Sequence, residues 1–124
     1  MEAAFAADLG RCLRDIGEPT EAITLSTGAL RDYEPWRVRN RCFVQTDLAG
    51  AHLLGGGLEQ AAALGRDALR TAADVSSART LDRLRTLQRQ VRPLRSASPP
   101  PADLDDRITD FLTRATRRHD NNAL

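Results

Sequence analysis

Arginine is the residue type in this chain on which chemistry could rest. All of its 18 basic residues are Arg and none is Lys. A planar guanidinium grips a carboxylate through two parallel hydrogen bonds. Arg11, Arg14, Arg85, Arg89 and Arg92 lie in two helical segments far apart in sequence, so they need a fold to bring them together. Other reactive types offer less. His52 falls in an apolar run and reads as a packed histidine, and His119 lies in a polar tail. Cys12 and Cys42 sit inside helical patterns and read as buried reduced thiols, and no His/Cys spacing makes a zinc site. Ser26, Ser76 and Ser77 have no neighbouring base. Asp105-Asp106 reads as an acid pair at a helix start. Gly55-Gly56-Gly57 lacks the Lys-Ser/Thr of a phosphate loop and reads as a turn. Neither an enzyme, a metal nor a cofactor is expected.

The elements that would position the arginines are helices, and they recur. Leu9 to Leu30, LGRCLRDIGEPTEAITLSTGAL, returns 39 residues on as Leu48 to Leu69, LAGAHLLGGGLEQAAALGRDAL. Leu9 falls on Leu48, Gly10 on Ala49, Gly17 on Gly56, Ala22 on Ala61, Leu25 on Leu64, Ala29 on Ala68 and Leu30 on Leu69. Such a recurrence is the mark of stacked helix hairpins. A third copy shows only in its first helix, with Leu87 the third member of the Leu9/Leu48 set.

The apolar spacing predicts a helix over 3–16 with Phe5, Leu9, Leu13 and Ile16 on its buried face. Gly17 ends it and Pro19 opens a second helix, reaching about Asp32 with Ala22, Ile23, Leu25, Ala29 and Leu30 apolar. Pro35 opens a third over 36–54, with Val44, Leu48 and Ala51 inward. A fourth spans 58–73 and is Ala-rich, so that backbones approach closely. Ser76 or Ser77 caps a fifth over 77–92, with Leu84, Leu87 and Val91 inward. SASPPP, 96–101, reads as a stiff extended connector, 102–118 as a capping helix built on Leu104, Ile108, Phe111, Leu112 and Ala115, and 119–124 as a flexible tail. The expected domain is 1–95 as repeats, hairpins 3–34 and 36–74 and then helix 77–92, followed by that cap.

The small residues at Gly10/Ala49, Ala22/Ala61 and Ala29/Ala68, the glycine turns and Pro35 resemble tetratricopeptide repeats, whose usual period is about 34 residues. The bulky aromatics of that repeat's first helix are replaced by Ala6, Gln45, Leu13 and His52. The run from LGRCLRDIGEPTEAI through TDLAGAHLLGGGLEQAAALGRDAL to SSARTLDRLRTLQRQVRPLR and DLDDRI is also similar to the C-terminal region of actinobacterial XRE-family helix-turn-helix regulators. The resemblance implies an all-α, right-handed solenoid of about six helices, with a DNA-binding domain upstream that this chain does not contain. The chain is then the end of a longer regulator or a stand-alone relative.

In repeats of this type the first helix of each pair lines the concave face. The 39-residue register then aligns Arg11, Gly50 and Arg89, Arg14, Leu53 and Arg92, and Ala7, Thr46 and Arg85. The expected groove of Arg11, Arg14, Thr46, Leu53, Arg85, Arg89 and Arg92 has an apolar centre and basic flanks, suited to an extended peptide, a small anionic ligand or a protein partner carrying a carboxylate. The alternative is a solvated face in which these arginines pair with Asp15, Asp82 and Glu2. LRDIGEPTEAITL has the outline of a helix-turn-helix, but its second helix carries Glu18, Glu21, Asp32 and Glu34 against Arg31, and a reading helix needs Arg, Lys, Asn or Gln. No direct DNA contact is expected.

Formal net charge is +1, without bulk bias towards nucleic acid or membrane. No apolar run approaches the roughly 20 residues of a membrane span, and MEAAFAADLG lacks the basic start of a signal peptide, which makes the cytoplasm the expected compartment. The outer side of the first helix is expected to lack intrachain cover, and AAFAADL is mostly apolar. A homodimer or partner contact anchored on Phe5 is expected there. The expected function is a non-catalytic ligand- or protein-binding and dimerisation module, the sensor part of a bacterial transcriptional regulator. The alternative is a stand-alone adaptor with no link to DNA.

Overall fold

The computed structural model describes residues 2–75 and 77–122, with the backbone but not the side chains of 119–122. Six helices follow in order: α1 (Ala3–Asp15), α2 (Pro19–Asp32), α3 (Val38–Leu54), α4 (Leu58–Ala72), α5 (Ala78–Val91) and α6 (Pro99–Asn122), with a short 3-10 turn at Arg92–Leu94. No strand occurs among the described residues, and no helix among them is long and apolar enough to cross a membrane.

The first two hairpins are closed by the same turn. Gly17 and Gly56 take the left-handed conformation, with φ of +82° and +84°, which costs a glycine nothing. That conformation lets Glu18 N–H donate to Leu13 O at 2.8 Å and Gly17 N–H to Arg14 O at 3.0 Å. Thirty-nine residues on, Gly57 N–H donates to His52 O at 2.8 Å and Gly56 N–H to Leu53 O at 3.2 Å. Both are Schellman caps that satisfy the last carbonyls of a helix. Between the hairpins, Arg41 Nη1 donates to Leu30 O at 2.7 Å and Tyr33 O at 3.2 Å. This caps α2 and holds 33–37 as a turn, so α3 starts at Val38 and not at Pro35 or Trp36. Ser77 caps α5 by accepting from Thr80 N–H at 3.3 Å; Ser76, the other candidate, lies outside the described residues.

The expected connector at 96–101 is half helix. Pro99, Pro100 and Pro101 form the first turn of α6. The first N–H groups of any helix have no intrahelical acceptor, so three prolines there forfeit no hydrogen bond and arrive with φ preset. The backbone of the expected tail stays helical to Asn122; residues 123–124 lie outside the described residues, as does the His119 side chain.

Packing divides at α3. On one side α1, α2 and α3 pack on one another around Ala6, Ala29 and Val44. On the other, α3 packs on α4 and α5, and α6 closes a four-helix ring by packing on both α4 and α5. Two apolar clusters fill that ring. One holds Ala49, Leu53, Ala61, Leu87, Val91, Leu104 and Ile108; the other holds Cys42, Ala72, Leu84 and Phe111.

The stripe expected to bury α1 does not. Phe5 and Ile16 are 58% and 73% exposed, and Leu9 and Leu13 are only half-buried. The inward residues are Ala6, Gly10 and Arg14. A Cβ on Gly10 would lie 2.5 Å from Ser26 Oγ and 3.4 Å from Ala22 O. The α1 and α2 backbones are therefore too close for large side chains between them, and the leucines are displaced to the flanks. Leu48 and Leu87 are buried as the register requires; their mate Leu9 is not.

Candidate ligand cleft on the α1, α3 and α5 face

Between Cys42 and Leu58 the sequence has one formally charged residue, Asp47. Its neighbours bury α3 on nearly every side, so its carboxylate comes to lie inside, with 6% of its side chain exposed. A carboxylate so placed needs partners. Arg14 of α1 donates Nη1 to Asp47 Oδ1 at 2.8 Å, and Arg83 of α5 donates Nη1 to Oδ2 at 2.8 Å. Arg14, itself 7% exposed, also grips Asp15 Oδ1 through Nε and Nη2 at 3.0 and 2.6 Å. Burial pushes the Asp47 pKa above its ordinary value, and the Arg83 and Arg14 guanidiniums work against that rise. The result is an ion-paired strut across the three first helices.

Above the strut opens a cleft of about 360 Å³. Ala7 and Val44 supply apolar wall, Tyr33 and Asn40 polar edge groups, and Arg11, Arg79 and Arg83 outnumber the two lining carboxylates, Asp8 and Asp47. The Phe43 ring lies beneath two of these, with the Arg83 guanidinium 4.6 Å and that of Arg79 5.6 Å from its centroid. This cation–π stacking holds the guanidiniums in place without using their N–H edges, of which Arg83 gives Nη1 to Asp47. Arg11 has only a loose contact to Asp8, at 3.8 Å. Such a cleft can bind a carboxylate or similar anion joined to an apolar group. Among the described residues no three His, Cys, Asp or Glu side chains converge as metal ligands.

Of the expected groove residues only Arg11 lines this cleft. Arg14 is spent on Asp47 and Asp15. Thr46 is buried and its hydroxyl donates to Cys42 O at 2.8 Å. Leu53 belongs to the ring core. Gly50 is covered, since a Cβ there would meet Gln90 Oε1 at 2.5 Å and Arg14 Cδ at 3.2 Å. Arg85 and Arg89 are exposed on another side of α5, and Arg92 in the 3-10 turn that follows it. They contact Asp82 Oδ1 at 3.3 Å, Thr86 Oγ1 at 3.0 Å and Asp105 Oδ2 at 3.5 Å respectively. The error is one of phase. Thr80, Leu84, Leu87 and Val91 face inward; at 100° per residue Arg79 and Arg83 lie roughly 90° to one side of that stripe, and Arg85, Arg89 and Arg92 on the far side, roughly 130° from them. The register alone points to the solvent side of α5, whereas Arg79, Arg83, Phe43 and Asp47, which it does not single out, line the cleft. The isolated Asp47 was the available signal.

The remaining reactive groups are accounted for by packing. Cys42 is buried and donates Sγ–H to Ala68 O at 3.5 Å, and desolvation pushes its pKa up to about 11. Cys12 is exposed, contrary to the expectation of burial, because it sits on the outer side of α1 away from Gly10. His52 is half-buried, and desolvation lowers its pKa. Asp105 and Asp106 do not open a helix, since α6 begins at Pro99 and both lie in its second turn; Asp105 is buried there, which alone would raise its pKa. Hydrogen bonds from Arg95 at 2.7 Å, Gln88 at 3.0 Å and Arg92 at 3.5 Å outweigh this and hold it below its ordinary value.

Comparison with family models, with curated proteins and with solved structures found no match to this chain.

Proposed function

We propose that this chain is a non-catalytic binding module whose α1/α3/α5 cleft takes an extended peptide or small ligand that joins a carboxylate to an apolar group. The observation that carries the reading is the trio Arg11, Arg79 and Arg83 around a cleft with the Phe43 ring at its base. The residues differ from those expected from the register, but the helices and the ligand chemistry are the same. The regulatory role, as the sensor part of a bacterial transcription regulator, is supported by the resemblance of the helical repeats to XRE-family regulators. An upstream frame encoding a helix-turn-helix, joined or adjacent, favours that role; a toxin or biosynthetic neighbour favours the adaptor.

The adaptor has its own support in two exposed aromatics, Phe5 and the 74% exposed Trp36. Aromatics of this kind anchor protein interfaces, and Phe5 is the contact proposed for a homodimer or partner. Light scattering of the wild type and of Phe5→Glu tests it, a monomer at high micromolar concentration being the adverse result.

The cleft is tested by calorimetric titration with short peptides ending in a free carboxylate after an apolar residue, against their amidated forms. Arg79→Glu and Arg11→Glu, both outside the Asp47 strut, should each weaken binding by roughly tenfold or more with helix content unchanged. Equal binding of free and amidated peptides, or normal binding by both variants, refutes the cleft.

A further inference from the structure

The other layer of helices carries a separate charged surface. α4 and α6 pack directly on each other, and a groove of about 520 Å³ runs between them. Leu69, Ala73 and Phe111 are its apolar lining. Its rims are arginine. Arg66 and Arg70 stand one turn apart on α4; Arg107, Arg114 and Arg118 form a stripe along α6, spanning roughly 16 Å at 1.5 Å per residue.

The carboxylates already present at these rims show both what the arginines recognise and how weakly they are held. Arg107 pairs with Asp103 at 2.7 Å, Arg114 with Asp110 at 3.1 Å and Arg66 with Asp103 at 3.9 Å, and Arg70 pairs with Asp67. Five arginines face three carboxylates, leaving an excess of two positive charges where the whole chain carries +1. Every one of these pairs joins exposed or half-exposed side chains. Exposed pairs of this kind contribute on the order of 0–1 kcal/mol, so exchanging an internal carboxylate for an incoming one costs little.

We propose that the α4/α6 groove docks an acidic amphipathic helix of a protein partner. Its apolar stripe would lie on Leu69, Ala73 and Phe111, and its Glu or Asp side chains would replace Asp67, Asp103 and Asp110 at the arginine rims. Two adjacent helices with apolar side chains between them accept a third helix read at i, i+3, i+4 and i+7. A nucleic-acid backbone fits less well. It has no apolar face for Leu69 and Phe111, and the rim carboxylates repel phosphate. This surface lies on α4 and α6, away from the cleft, and stands whether or not the cleft reading does.

The test is a displayed library of peptides about 16 residues long, three to four helical turns, with apolar positions fixed at helical spacing and polar positions randomised among Glu, Asp, Gln, Ser and Lys. It is selected on the full chain. Enriched peptides should carry Glu or Asp beside the apolar stripe. A labelled winner should lose affinity by roughly tenfold or more on Arg70→Glu/Arg114→Glu, with an unchanged circular dichroism spectrum, and less on Arg70→Ala/Arg114→Ala. Arg11→Glu and Arg79→Glu should leave it unaffected, which separates this surface from the cleft. No enrichment, winners without acidic residues, equal binding to the charge-reversed protein, or tighter binding of a single-stranded DNA of about 15 nucleotides would each overturn the proposal.

Discussion

The two sides of α3 are held together by different means. Towards α1 and α2 the contact is made by small residues, Ala6, Gly10, Ala22, Ser26 and Ala29, and by the buried ion pairs of Asp47. Towards α5 and α6 it is made by bulk: Leu84, Leu87, Val91, Leu104, Ile108 and Phe111. Yet both hairpins share one register. Position 10 of the first is Gly10 and of the second Ala49; position 26 is Ser26 and then Gly65. In the first hairpin the space made by the smaller residue is taken by the facing helix itself, since Gly10 admits Ser26. In the second it is taken by a third element, since Gly65 admits the Leu104 side chain of α6, which a Cβ would meet at 2.6 and 2.7 Å. A repeat therefore preserves where backbones may come close, while the next neighbour decides which large side chains are buried.

The largest expected difference between the two sides concerns one register position. Leu87→Ala should cost about 2–5 kcal/mol, the range for a large-to-small change in a filled core. Leu9→Ala, at the half-covered mate, should cost less than about 1 kcal/mol, nearer the scale of surface changes. Urea denaturation of the two variants measures both, and equal losses would erase the distinction between the sides.

The two glycines sharpen it. Gly65→Ala drives a Cβ into both methyl groups of Leu104, which has no free direction to move, and should cost about 1–3 kcal/mol as an overpacked site. Gly10→Ala meets a serine hydroxyl that can rotate, while a helix gains about 0.5–1 kcal/mol from the exchange. It should lie within about 1 kcal/mol of the wild type. Melting temperatures of the pair settle the order, and a larger loss for Gly10→Ala would show that the first interface is the less yielding.

The smallest expected effect is in acid, where two buried carboxylates act in opposite directions. The folded Asp105 pKa lies below its ordinary value. Its contribution is therefore complete above the unfolded value of about 3.9 and is lost as pH falls through the folded one. The folded Asp47 pKa is raised, so the native state binds the proton more readily and stability declines as pH rises past about 3.9. Denaturation curves between neutral pH and pH 3 should show a flatter acid limb for Asp105→Asn and a steeper one for Asp47→Asn. Parallel limbs for the two would refute the opposed signs.

These contrasts follow the line between what was legible in the sequence and what was not. Gly17, Gly56 and the small positions could be read because a left-handed turn and a close helix pair admit few residue types. Six helices and the inward faces of α5 and α6 followed from their aliphatic spacing. The burial of α1 was misread because hydrophobic spacing finds the large residues, and there the small ones face inward. The start of α6 was misread because three prolines suit an extended link as well as a first helical turn. Arg79 and Arg83 were missed because a 39-residue alignment fixes position along α5 more firmly than rotation about it. Asp47 was visible as a lone charge, but its two arginines come from helices over thirty residues away on either side.

The placement of Cys42 has a kinetic consequence. Its sulfur lies where all four helices of the ring meet, beside Ala72, Leu84 and Phe111, and its pKa of about 11 leaves almost no thiolate at neutral pH. Since the thiolate is the reacting species, a disulfide reagent consumes the exposed Cys12 at once and reaches Cys42 only when the ring parts. With Cys12 replaced by serine, the slow rate at which the remaining thiol is consumed becomes a clock for that opening. Because α3 is the wall common to both sides, the clock should run faster when either side is loosened, even by a change at Gly10 or Asp47 that never touches the ring.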